Sequence, residues 1–359
     1  MIADPASAAR VEADAFGTSH LAAVGALVCS QRGRLALAAG GGLLAIGFTM
    51  LAARHFAETS WPLVRGHPLL LAASGLLFML AGVLKIYAWR ALFAANERPR
   101  TLALAAASGG AWVVSVALPS RVGDAARVAI VRRSAGCPAS VRALCLSLVM
   151  LGLVDAAALA PIAFACVALP GHSVGVRVSL ALVAGVGIAA AALVVALPAL
   201  VGSRRLLSFR LGRWLRPRTI SLRDASGAWA LASAHWLVRA LALVLLLGTL
   251  GAGFSVTLAI LFLCGGAVAG ALPIAPAGAA TQAGAGAGVL IASGVGASQA
   301  IEVAVAGQAL AALAGAAILV FSVIRPWAHL PRQGSRWHRT QEVACSSPAS
   351  PMTNTAAGG

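Results

Sequence analysis

Three groups of residues in this 359-residue chain have the types and spacing to do chemistry. Arg121, Asp124 and Arg127 recur at every third position of Leu118-Pro-Ser-Arg-Val-Gly-Asp-Ala-Ala-Arg127, so on a helix they share one face. Guanidinium groups hold phosphate bidentately, and a carboxylate between two of them can orient one. At the edge of a membrane cavity such a cluster is a lipid-phosphate clamp. On a plain membrane surface the same arginines would touch bulk headgroups and set topology. The spacing is compatible with either.

The second group lies inside apolar runs. Asp155 sits near the middle of one, and Arg239 about as deep in another with His235 one turn before it. A charge at bilayer centre is costly, so it turns toward the bundle interior and finds a partner. Asp155 with Arg239 is the pair this reasoning predicts. It would serve as a polar lining for a lipid headgroup or a proton-linked step, or as a purely structural interhelical ion pair. His235 is expected to be a hydrogen-bonded packing residue.

The third group is Gly270-Ala-Leu-Pro-Ile-Ala-Pro-Ala-Gly278, followed by Thr281 and Gln282. Pro273 and Pro276 remove backbone donors and break a helix, and a helix broken at membrane depth leaves backbone groups that can meet a substrate. Gly266/Gly270 and Gly284/Gly288 have the spacing for close helix packing. With 39 glycines in the chain, that spacing carries less weight than the proline break. The tripeptide Ala-Leu-Pro opens both break regions, at Ala117 and Ala271, but it also recurs at Ala168 and Ala196 and so demonstrates no repeat.

No nucleophile–base pair, phosphate-cradling glycine loop or metal-ligand spacing accompanies these groups. The six cysteines (Cys29, Cys137, Cys145, Cys166, Cys264, Cys345) form no CxxC pair, and the histidines are scattered. The expectation is a protein that is not an enzyme, with no cofactor and no metal.

The elements that must position these residues follow from composition. Hydrophobic residues make up 60% and charged residues 10%, against about 45–50% and 25% in ordinary globular chains. So few charges could not cover the surface of a soluble protein of this length, and the fold class is an all-α, polytopic transmembrane helix bundle. The net charge of +17 would suggest nucleic acid if taken alone. Its distribution argues otherwise, because the arginines fall in short loops between apolar runs, the pattern that orients membrane helices. Asp4, Glu12 and Asp14 precede the first long apolar run, so the N-terminus is not read as a cleavable signal.

The apolar runs are Leu35–Ala53, Pro68–Leu84, Thr101–Ser120, Val141–Leu169, Val178–Ser203, Ala225–Leu250 and a last one from Glu302 to Ile324. From Ala240 to Ile301 no charged residue occurs, room for three crossings at about 20 residues each. The second run is expected to continue past Lys85 toward Arg90, with both long side chains snorkelling to the interface. Basic residues cluster in 1–34, 85–100, 121–142, 204–223 and the segment after Ile324, leaving only Arg54, Arg65 and Arg177 in other loops. Placing the clusters in the cytoplasm works if Thr101–Ser120, with its Gly109-Gly110 break and terminal Pro119, enters and leaves on the same side. That gives eight crossings plus one re-entrant segment in 35–325. A cytoplasmic N-terminal segment (1–34) precedes them, and a polar tail rich in serine and proline (326–359) follows, read as disordered and cytoplasmic. The localisation expected is a bacterial-type inner membrane.

The block Leu118–Arg127, the pair Arg132-Arg133 and the later Asp155 resemble the LP-x-R-x-GE-x-x-R block of the lysylphosphatidylglycerol synthase transmembrane, or flippase-like, family. Pro273-Ile-Ala-Pro276-Ala-Gly278 is similar to part of that family's Pro-x-x-Pro-Gly-Gly stretch. Two departures stand out: Asp124 replaces the usual glutamate, and Thr281 and Gln282 stand where an acid is common, a role Glu302 could take over. The resemblance implies a membrane protein that handles a polar lipid and moves its headgroup between leaflets. The soluble aminoacyl-transfer domain of full-length synthases would not fit in the 34 residues after 325, so the synthase activity is not expected.

The expected function is binding and translocation of a phosphate-bearing lipid, a phospholipid or polyprenyl-phosphate-linked species. Arg121, Asp124 and Arg127 would grip the phosphate. Asp155, His235, Arg239 and Glu302 would line an intramembrane polar path, and Pro273, Pro276 and Gly278 would supply exposed backbone. The rivals are a non-catalytic scaffold for a lipid-modifying or glycosylation enzyme, and an intramembrane transferase with Asp155 as base.

Overall fold

The computed structural model describes residues 47, 50–58, 61–117, 120–134, 137–168, 174–202, 221–271 and 278–328. All regular structure among these residues is helical. The helices are α1 (Pro68–Ala91), α2 (Thr101–Ala117), α3 (Ser120–Arg133), α4 (Val141–Val167), α5 (Val174–Gly202), α6 (Leu222–Thr249), α7 (Val256–Ala271), α8 (Gly278–Ala292) and α9 (Ala297–Ala328). A single helical turn at Pro62–Arg65 precedes α1.

Local sequence sets the helix starts. Pro68 opens α1, where its missing N–H costs nothing. Ser140 and Ser221 cap α4 and α6, their hydroxyls accepting from the backbone N–H of Ala143 and Asp224. Five helices are long and apolar enough to cross a membrane: α1, α4, α5, α6 and α9. The protein is therefore a multi-pass helical membrane bundle. The first apolar run, Leu35–Ala53, lies mostly outside the described residues, as do 1–34, 203–220 and 329–359.

The long charge-free stretch differs in layout from the three crossings expected of it. It holds the end of α6 and then two short helices, of 16 and 15 residues. At 1.5 Å per residue each reaches about 23 Å, short of a hydrocarbon core of about 30 Å. They form an antiparallel hairpin: Gly265 packs on Ala285 and Val289, Gly270 on Gln282, and Gly286 on Phe262. The Pro273/Pro276 break falls between the two helices, but charge spacing could not have marked where α7 begins or α8 ends. Chain direction is the same whether the two helices cross fully or turn back.

The break expected at Gly109-Gly110 is absent, because α2 runs unbroken through both glycines, and a second hairpin is formed by two separate helices instead. α2, with 17 residues, is again short of a full span, and α3 runs back along it, with Gly110 against Ile130 and Gly123 against Ala111. The returning limb is α3 itself. Arg121, Asp124 and Arg127 therefore lie on the way back out of the hairpin.

Helix pairs hold the rest together. α6 packs most extensively on α1, α5 on α4, and α9 on α2. Ser74 Oγ donates to the Ala242 carbonyl (2.8 Å) and His235 Nδ1 to the Ala81 carbonyl (2.8 Å). Seven residues up α1 match seven down α6, so the two helices are antiparallel. Small residues permit the closest approaches: a Cβ on Gly109 would stand 2.5 Å from the Gly315 carbonyl oxygen, which brings α2 against α9. α4 is the most enclosed span and α5 the most exposed. Trp89 anchors α1 to α4 by donating from its indole Nε1 to Ser147 Oγ at 2.9 Å.

Candidate functional site

Three spans bring a polar cluster together inside the bundle. The buried face of α1 runs through Phe78, Ala81, Gly82, Ile86 and Trp89, and Lys85 falls on it. On α4, Asp155 lies between the buried Leu151 and Val154 and the buried Ala158 and Leu159. On α6, His235 and Arg239 are four residues apart and share a face, with Trp236 beside them.

Lys85 Nζ donates to Asp155 Oδ2 at 2.5 Å. This corrects two expectations. The partner of Asp155 is Lys85, and Arg239 makes no hydrogen bond to it. Nor does Lys85 snorkel to the interface, because the packing of α1 on α6 turns its face inward, and a buried ammonium needs a carboxylate. Arg239 lies within electrostatic reach of Asp155, but its guanidinium stands 5.7 Å from the centre of the Trp236 ring. Lys85 Nζ is 5.9 Å from the same ring, so one indole faces two cations. That indole is held in place by its own Nε1, which donates to the Asp155 backbone carbonyl at 3.1 Å.

His235 behaves as a packing residue. A carbonyl only accepts, so Nδ1 carries the proton in the bond to Ala81, and the neutral ring presents a lone pair at Nε2. Three buried polar atoms of the cluster have no hydrogen-bond partner among the described residues: Asp155 Oδ1, His235 Nε2 and Arg239 Nε. Two cations face one carboxylate, leaving one surplus positive charge. Lys85 and Asp155 retain 21% and 18% side-chain exposure, so the pair is not sealed into the packing.

The basic block on α3 is a separate feature. Arg127 Nη1 donates to Asp124 Oδ1 at 2.7 Å, one turn apart, and Arg127 Nε has no partner among the described residues. Asp124 thus fixes Nη1 of the guanidinium, while Nε is buried without a partner among the described residues. Arg121 stands on the same helix one turn before Asp124, with its side chain outside what the structure describes. Beyond the block, Arg132 closes the turn into α4 by donating to the Ala139 carbonyl at 3.3 Å.

Pro273 and Pro276 lie outside the described residues, while Gly278 opens α8 as a buried position. Glu302 does not join the Asp155 cluster's ion pair. It stands in the second turn of α9 and bonds His55 Nε2 at 3.1 Å, tying α9 to the helical segment 50–58.

Sequence reasoning missed Lys85 as a site residue, and with it Trp236 and His55. Lys85 did leave a signal: it is the chain's only lysine, and it continues the period set by Phe78, Ala81 and Gly82. Trp236 and His55 left none, since their roles depend on which helices become neighbours.

Residues 33–319 match the family model described as the lysylphosphatidylglycerol synthase TM region, and the chain belongs to that family. No curated protein matches the chain, and no solved structure does.

Proposed function

We propose that the protein binds a polar, phosphate-bearing lipid and carries its headgroup between leaflets of a bacterial-type inner membrane, with both termini cytoplasmic. The observation that carries this reading is the surplus positive charge held inside the bundle, where Lys85 and Arg239 face a single carboxylate, Asp155. An uncompensated cation at that depth is expensive in a bilayer and marks a path for anions. A lipid phosphate is the anion at hand in a membrane, and the family membership supports a lipid-handling role.

The α3 block would receive the headgroup. Arg127, steadied by Asp124, offers a pre-oriented guanidinium to a phosphate, and Arg121 adds a second cation nearly two turns away on the same helix. The two short hairpins, α2/α3 and α7/α8, would cover the headgroup with backbone that is itself shielded from lipid. Nothing in this scheme requires bond making, so the protein acts as a carrier and not as an enzyme.

Native mass spectrometry of gently extracted protein tests the reading. Wild type should retain one phospholipid or polyprenyl-phosphate species selectively, and Arg121→Ala/Arg127→Ala should lose it while remaining folded. Equal, unselective lipid in both would return those arginines to topology signals. A stoichiometric lipid-modifying enzyme found in its place would favour the scaffold role.

A further inference from the structure

The Lys85–Asp155 pair raises a question that lipid binding alone does not answer. If Lys85 serves a headgroup phosphate, it is already engaged. Its ammonium holds Asp155 Oδ2 at 2.5 Å, and Arg239 is the other cation within electrostatic reach of Asp155 among the described residues. A phosphate oxygen and a carboxylate oxygen are equivalent ligands for an ammonium group. They would compete for the same donor.

We infer that Asp155 is a built-in competitor for the headgroup phosphate: it occupies Lys85 when no headgroup is present and yields it when one arrives. The inference rests on the lipid reading given above and adds the device that keeps binding reversible. Three features of the cluster fit the role. The pair is not sealed, so a ligand atom can reach it. Arg239 has an unpartnered Nε and lies within electrostatic reach of Asp155, so it can take up the displaced carboxylate without a third cation. Trp236 anchors the arrangement through the Asp155 backbone, leaving the carboxylate free to turn while the ring keeps its place beside both cations. A site with two bare cations and no internal anion would bind phosphate tightly and release it slowly. With the carboxylate present, the cluster carries one net positive charge both before and after the exchange of partners, apart from the ligand's own charge.

Dodecyl phosphate, a single-chain phosphate amphiphile, is the probe, titrated into the detergent-purified full chain and read by the midpoint of thermal unfolding. Asp155→Asn removes the competitor and keeps the shape, so the Kd for dodecyl phosphate should fall at least tenfold. Lys85→Met/Asp155→Asn removes both partners and should weaken binding at least tenfold relative to wild type. Affinity in Asp155→Asn equal to or weaker than wild type would overturn the inference. If that single variant does not fold, the double variant carries the test, and wild-type affinity there would overturn it equally. An equal response to inorganic phosphate would assign the site to a free anion and overturn its assignment to a lipid. If wild type binds dodecyl phosphate but the Asp155 pattern is missing, this inference alone falls. If wild type binds neither the probe nor any lipid selectively, the functional reading falls with it.

Discussion

Replacing Lys85 by methionine is the perturbation that most sharply separates the observed pairing from the one expected by depth alone. Methionine keeps an unbranched chain one heavy atom shorter and removes the charge, leaving Asp155 in the bundle without its hydrogen-bonded cation. Breaking a buried pair by removing one partner costs about 3–5 kcal/mol. Two features of this site lower that figure. Both side chains keep about a fifth of their exposure, so solvent screens part of the charge, and Arg239 is close enough to compensate some of the carboxylate. The expected cost is about 2–3 kcal/mol, equivalent to a fall in Tm of roughly 3–4 °C for a chain of this size. Arg239→Met should cost only about 1 kcal/mol, because it loses a ring contact and a distant charge but no hydrogen bond. Lys85→Met/Asp155→Asn removes both charges together and should recover to within about 1 kcal/mol of wild type. The assay is the fraction of monodisperse protein left after heating in one detergent, compared across the four proteins. If Arg239→Met proves as destabilising as Lys85→Met, Asp155 pairs with Arg239 and the cluster described above is wrong.

Further predictions rest on packing and on the hairpins. Gly109→Val should destabilise strongly, because its side chain would meet the Gly315 backbone, while Gly152→Ala, with open space around its Cβ position, should leave Tm unchanged or raise it slightly. Equal heat stability of these two variants would contradict the α2–α9 contact. Ser74→Ala removes one hydrogen bond across α1 and α6, and membrane averages of such bonds put the loss at about 0.6 kcal/mol; a loss of several-fold more would mean the bond has a role beyond packing. Cys137, on the turn between α3 and α4, should react with a membrane-impermeant thiol reagent only from the cytoplasmic side, and labelling from the opposite side would invert the topology.

Much of the architecture was legible because membrane helices announce themselves by length and by the absence of charge. The runs at Pro68, Val141, Val178, Ala225 and Glu302 became full-length helices within a few residues of their ends. Gly109 and Gly110 misled as a break, since α2 runs unbroken through both of them; Gly109 serves close packing on α9 instead. What charge spacing could not supply was the rotation of each helix about its own axis and the identity of its neighbours. Lys85 shows the difference. In the linear chain it sits near the end of an apolar run beside Tyr87, Trp89 and Arg90, an interfacial setting. In the bundle it lies one turn below the Ala81–His235 contact, and its side chain meets α4. Depth matched Asp155 to Arg239, whereas packing matched it to Lys85. The Ala240–Ile301 stretch was legible only in part: the Pro273/Pro276 break falls between the end of α7 at Ala271 and the start of α8 at Gly278, but no charge marks the end of α6, the start of α7 or the end of α8.

Lipid movement in sealed vesicles tests the central claim most directly. Vesicles containing tail-labelled phosphatidylglycerol, or a labelled polyprenyl phosphate, are treated with a reductant that bleaches only the outer leaflet. With wild-type protein reconstituted, bleaching of one of these lipids should proceed past the outer-leaflet share, and Arg121→Ala/Arg127→Ala should return it to the level of empty vesicles. Bleaching that stops at the outer leaflet for every phosphate lipid, with folded wild-type protein in the membrane, would contradict translocation.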